Sequence, residues 1–183
     1  MNMQSRTKVS LVVMALFAMP MAYGSTVSKA DYKAEKARIS ATYKSDKSAC
    51  KAMADNARDI CIEEGRAKEK VARAELEFNY TGKPSDQTKI ATAKAEGAYA
   101  VAKEKCDDKS GNDKSVCVKQ AKAAEVKALA DIKMGRQISE AKTDAASDKR
   151  DADYLVATQK CDALAGDAKS SCVSMAKAKF GKS

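Results

Sequence analysis

The chain has no histidine and no tryptophan, only two prolines, and an aromatic content of 5% in 183 residues. Without histidine there is no Ser-His or Cys-His couple, no imidazole ligand for zinc or iron, and no side chain whose ordinary pKa lies near neutrality. So few aromatic rings make a stacking platform for nucleic-acid bases improbable. The sequence also lacks a Cys-x-x-Cys motif, a Gly-rich phosphate loop and a nucleophile elbow, so it offers no redox couple, nucleotide cradle or activated serine. These absences point away from an enzyme and imply no cofactor and no small-molecule substrate.

One apolar run is present. Arg6 and Lys8 precede Val9 to Met19, and Ala22 and Gly24 precede Ser25. A basic start, a short apolar stretch and small residues at the −3 and −1 positions describe a secretory leader spanning residues 1–24 and cleaved before Ser25. The run falls short of the ~20 residues that cross a bilayer, and no cysteine follows it as a lipid anchor. The expected protein is therefore periplasmic or secreted, and not integral to the membrane after cleavage. Losing Arg6 and Lys8 lowers the formal charge from +9 to +7.

In such a compartment an even number of cysteines reads as disulfides. The six cysteines fall into three pairs eleven positions apart: Cys50 and Cys61, Cys106 and Cys117, Cys161 and Cys172. Each first cysteine follows a tyrosine by seven positions, namely Tyr43, Tyr99 and Tyr154, and the unit recurs after 56 and then 55 residues. Copies two and three agree closely. Tyr99-Ala-Val-Ala-Lys-Glu-Lys-Cys106-Asp matches Tyr154-Leu-Val-Ala-Thr-Gln-Lys-Cys161-Asp, and Lys114-Ser-Val-Cys117 matches Lys169-Ser-Ser-Cys172. The chain is an internal triplication.

Within each pair the residues spell a helix end, a tight turn and a helix start. Gly166 suits a left-handed position closing one helix and Asp167 the N-cap of the next. Gly111 with Asn112 offers the same two roles, and Asp55 with Asn56 must serve without glycine. Two antiparallel helices joined there bring the cysteines within disulfide reach. Apolar residues at helical spacing lead into each pair, as at Tyr32, Ile39, Tyr43 and Cys50, and the tyrosines read as packing residues over the hairpin interior. The expected fold is all-α and elongated: three disulfide-stapled αα-hairpins, in residues 25–82, 83–137 and 138–183.

Thr81-Gly-Lys-Pro-Ser85 breaks the helix between the first two units. Between the second and third units only Gly135 and Ser139 are available. The chain either turns there, giving six antiparallel helices, or runs on as one helix of about 45 residues. The repeat favours the turn.

The exported Ala/Lys/Glu/Asp-rich helices, with Tyr99-Ala-Val-Ala-Lys-Glu-Lys-Cys-Asp and Cys161-Asp-Ala-Leu-Ala-Gly-Asp-Ala-Lys as their clearest segments, resemble small secreted or periplasmic proteobacterial proteins labelled hypothetical or TolA-like. The resemblance implies a long periplasmic helical spacer with a role in the cell envelope. Such spacers carry an uncleaved membrane anchor and a folded C-terminal domain, and this sequence departs from both.

The acidic cluster Asp148–Asp153 lacks the glycine and glutamate of a calcium loop and is interrupted by basic residues, while Asp107–Asp113 looks more like an oxygen-ligand loop but has its Gly111 already assigned to a turn. Asn79-Tyr-Thr81 forms a glycosylation sequon. The basic excess leaves three partner classes: an envelope protein held by a scaffold or spacer, an anionic polymer or surface (lipopolysaccharide, anionic membrane, extracellular nucleic acid), or client proteins of a periplasmic chaperone. Lysines interleaved with acids at helical spacing, as around Arg66 to Lys70, read more simply as a solvated face.

Overall fold

A computed structural model describes residues 27–182; the expected leader lies outside the described residues. Five α-helices follow one another: α1 (Lys29–Ala49), α2 (Asp55–Thr81), α3 (Pro84–Lys105), α4 (Gly111–Cys161) and α5 (Gly166–Phe180), with no strand among the described residues. The all-α, stapled-hairpin expectation holds.

Local chemistry explains most of the boundaries. Ser28 starts α1 by accepting the Asp31 amide at 3.1 Å, while its hydroxyl donates to the Asp31 carboxylate at 2.7 Å. This reciprocal arrangement satisfies an otherwise orphaned amide and sets a negative charge at the positive end of the helix dipole. Gly82 ends α2 in the left-handed conformation at φ 64°, and Pro84 opens α3 at its first position. The missing amide of proline costs nothing there, so a two-residue break reverses the chain.

The expected turn near Gly135 and Ser139 is absent. α4 is a single helix of 51 residues, about 75 Å long at 1.5 Å per residue, and the expected boundary at residues 137/138 lies inside it. A lone glycine costs a helix only about 1 kcal/mol relative to alanine. Gly135 has no proline behind it, unlike Gly82, and it has helix on both sides. The repeat therefore persists in sequence while its second inter-hairpin turn is lost.

Each helix packs on its neighbours in the chain: α1 on α2, α2 on α3, α3 on the first part of α4 and α5 on the last part. The α2–α3 contact is the closest. A Cβ added at Gly97 would lie 2.7 Å from the Ala67 Cβ, so the two backbones approach to a distance only glycine permits. Lys94–Glu75 and Lys105–Glu64, each 3.5 Å, and Lys70–Glu96 bridge the same pair of helices. The core is narrow. Its buried apolar residues are Ile39, Leu76, Ala93, Ala176 and three half-cystines, and the largest fully buried side chains are Cys50, Cys106 and Cys161. The disulfides occupy the place that large aliphatic residues hold in a bundle.

Candidate functional site

The repeated feature with the most defined chemistry is the stapled turn. All three expected disulfides are present, and in every one the Cα atoms are 5.7 Å apart, in the middle of the range a relaxed disulfide spans. Free cysteines are absent among the described residues. Such a set suits an oxidising environment.

The three turns share one backbone path. The incoming helix tightens at the first cysteine, where the amide three residues on returns to the cysteine carbonyl at 3.0 Å: Met53 to Cys50, Lys109 to Cys106 and Leu164 to Cys161. An extended residue follows at Ala54, Ser110 and Ala165. The next residue is left-handed in each case, with φ 47° at Asp55, 55° at Gly111 and 56° at Gly166.

The expected roles therefore move by one helix. Gly111 and Gly166 do take the left-handed conformation, but they open the outgoing helix instead of closing the incoming one. Asn112 and Asp167 lie inside the first turn, and no side chain caps the start of α2, α4 or α5. The backbone path accounts for this. Extended residues, Met53-Ala54 in the first turn and Lys109-Ser110 in the second, already carry the chain away from the incoming helix, so the reversal is completed by the left-handed residue and a side-chain cap has no place to act.

Asn56 serves a different purpose from the expected cap. Its amide donates to the Glu104 carbonyl at 2.9 Å and to the Asp108 carboxylate at 2.8 Å, tying the first turn to the second. The other two turns carry matching ion pairs across the loop, Lys114–Asp107 at 3.0 Å and Lys169–Asp162 at 2.9 Å. In the first turn the equivalent positions are Lys51 and Arg58, two cations.

The three repeat tyrosines are half-buried. A Cβ added at Gly65 would meet the Tyr43 ring at 3.6 Å. The Lys122 ammonium sits over the Tyr99 ring, 5.0 Å from its centre, and Tyr154 meets Phe180 edge-on at 6.2 Å. Sequence reasoning missed what faces them. Twenty-two and twenty-three residues after each tyrosine stand a small residue and a cation: Gly65-Arg66, Ala121-Lys122 and Ala176-Lys177. The small residue makes room for the ring across the hairpin, and the cation can lie against the ring or its hydroxyl. A hydrogen bond with the Tyr43 hydroxyl, together with the Glu63 carboxylate, holds Arg66 above its ordinary pKa. Lys122 is likewise raised, chiefly by Glu125, which is 8% exposed and accepts from it at 2.6 Å. The same spacing test that paired the cysteines would have found this second register.

The depressions between helices are open grooves. One, about 570 Å³, runs between α1 and α2 past Arg38, Glu35 and Glu75. Glu35 and Arg38 pair with each other within it, which lowers the carboxyl and raises the guanidinium. Among the described residues no three Cys, Asp or Glu side chains converge as metal ligands, and no helix is long and apolar enough to cross a membrane. No family model, curated protein or solved structure matches the chain.

Proposed function

We propose that this chain is a non-enzymatic spacer or scaffold of the bacterial cell envelope, acting through its helical rod. The observation that carries the reading is α4 itself. Its first part is packed by α3 and its end by α5, and between them residues 141–146 and 148–150 are exposed. A helix of this kind sets a fixed separation between the α1–α3 array and the C-terminal hairpin. Its low demand for core packing explains how it persists: alanine, lysine and glutamate favour helix without tertiary contacts. Ion pairs such as Arg136–Glu140 at 2.9 Å support the exposed stretch. Many of the cations pair with acids within and between helices, so the surface is one of mixed charge, although each pair also uses an acid and leaves the net excess unchanged.

The reading is tested by changing length without changing phase. Eleven residues make just over three whole turns. Deleting residues 140–150 shortens α4 by about 16 Å and leaves both packed ends facing the same way. In cells, a spacer so shortened loses its envelope cross-links while remaining folded and oxidised. Unchanged cross-linking by the shortened chain overturns the reading.

A further inference from the structure

The face of α4 turned away from α3 and α5 has a pattern that a solvated helix does not need. Starting at Ala123 and stepping four, three and four residues, the chain passes Lys127 and Ala130 to Met134, then Ile138 and Ala141 to Ala145, then Lys149 and Ala152 to Val156. All ten positions are exposed. Eight are apolar, among them Met134 at 55%, Ile138 at 49% and Val156 at 55% exposure. An eleven-residue period is 3.67 residues per turn, so the stripe stays on one face of a nearly straight helix for about 50 Å. The covered residues Glu125, Ile132, Tyr154 and Cys161 lie on the opposite side.

The edges of the stripe identify its occupant. At 100° per residue, one edge carries Lys119 and Lys133, then Asp144 and Asp148. The other carries Asp113 and Asp131, then Lys142 and Lys160. Each edge reverses sign near Ile138, and the two edges reverse in opposite senses; Asp153 is the one exception. All eight charges are exposed, and none belongs to an ion pair among the described residues. A helix with this pattern is complementary to itself. In an antiparallel pair the basic half of an edge lies beside the acidic half of the same edge. In a parallel pair Lys133 lies beside Asp131 and Asp144 beside Lys142. The five alanines let two such helices approach closely.

We infer that a second copy of this chain packs along the outward face of α4, forming a two-fold dimer centred near Met134 and Ile138. A strip about 50 Å long and 10 Å wide buries roughly 500 Å² on each partner, about 1,000 Å² in all, the lower end for a specific interface. The dimer is therefore modest in affinity and sensitive to salt. The inference depends on this face alone and holds whether or not the envelope reading does.

Sedimentation equilibrium of the oxidised full chain, from low to high micromolar, is the test. The wild type reaches twice the chain mass, and 0.5 M salt weakens the association. Ile138→Asp, at an exposed site that leaves α4 helical by circular dichroism, raises Kd by about tenfold or more. Met175→Asp, at a 65%-exposed position on α5, leaves the dimer intact. A wild type that stays monomeric, an Ile138→Asp chain that still dimerises, or equal loss with Met175→Asp overturns the inference.

Discussion

Asp55 holds the backbone position that Gly111 holds in the next hairpin: each lies five residues after the first cysteine of its pair, at φ 47° and 55°. The left-handed region costs an L-residue with a Cβ roughly 1–2 kcal/mol, somewhat less for aspartate. Asp55→Gly therefore stabilises the protein by about 1 kcal/mol, read as a higher urea midpoint at unchanged m-value. Gly111→Ala and Gly166→Ala lower it by a similar amount, although an added Cβ at either meets nothing within 4 Å. Equal midpoints for Asp55→Gly and the wild type would show that the first turn carries no strain.

This equivalence shows where the sequence is legible. Cysteine spacing fixed the three staples, and the tyrosine register fixed which helix faces meet, because covalent reach and helical period are local rules. The left-handed glycines were legible as turn residues, but which helix they served was not. That depends on the extended backbone before them, which has no strong compositional signature. The fate of Gly135 was illegible for a related reason. A glycine costs about the same whether it ends a helix or sits within one, and only the following Lys83-Pro84 separates Gly82 from it. The eleven-residue stripe on α4 stands in the sequence throughout, but it gains meaning only once α4 is known to be continuous.

The third staple is the one whose loss is most local. α5 has 15 residues and packs on α4 alone, near the length at which isolated helices are marginal in water. Its other ties are the Tyr154–Phe180 contact, Ala176, and an exposed Lys182–Asp151 bridge of 2.6 Å. A disulfide closing so short a loop contributes about 3 kcal/mol on the chain-entropy account. Replacing Cys161 and Cys172 by serine is expected to unfold α5 while α2 and α3 keep their hydrogen-exchange protection. Retained protection in α5 would mean that packing alone holds it.

Acid sensitivity centres on the α2–α3 turn. Asp86 is 2% exposed, accepts from the Lys89 ammonium at 2.6 Å and from the Thr81 hydroxyl, and is held below the usual carboxylate range by these two donors in that order. A carboxyl whose folded pKa is depressed adds stability above its unfolded value near 4, and that stability is lost as pH falls through the folded value. The melting temperature is therefore expected to fall below pH 4, and Asp86→Asn to flatten that limb while lowering stability at pH 7. Parallel acid limbs in the two proteins would remove Asp86 from the account.

Two helical glycines differ in their surroundings, and substitution separates them. At Gly135 an added Cβ meets nothing within 4 Å, so Gly135→Ala recovers helix propensity and raises stability by up to about 1 kcal/mol. At Gly97 the added Cβ would lie 2.7 Å from the Ala67 Cβ and 3.4 Å from its Cα. Neither atom can swing aside as the end of a flexible chain could. Gly97→Val must push α3 off α2, at a cost of about 2–3 kcal/mol in overpacking. It also stretches the Lys94–Glu75 and Lys105–Glu64 bridges on either side. Denaturant melts of the two variants are thus expected to move in opposite directions. If Gly97→Val were neutral, the close α2–α3 approach would not be what holds the array together, and the ion pairs between α2 and α3 with the Asn56 hydrogen bonds would carry that role, since no staple joins these two helices.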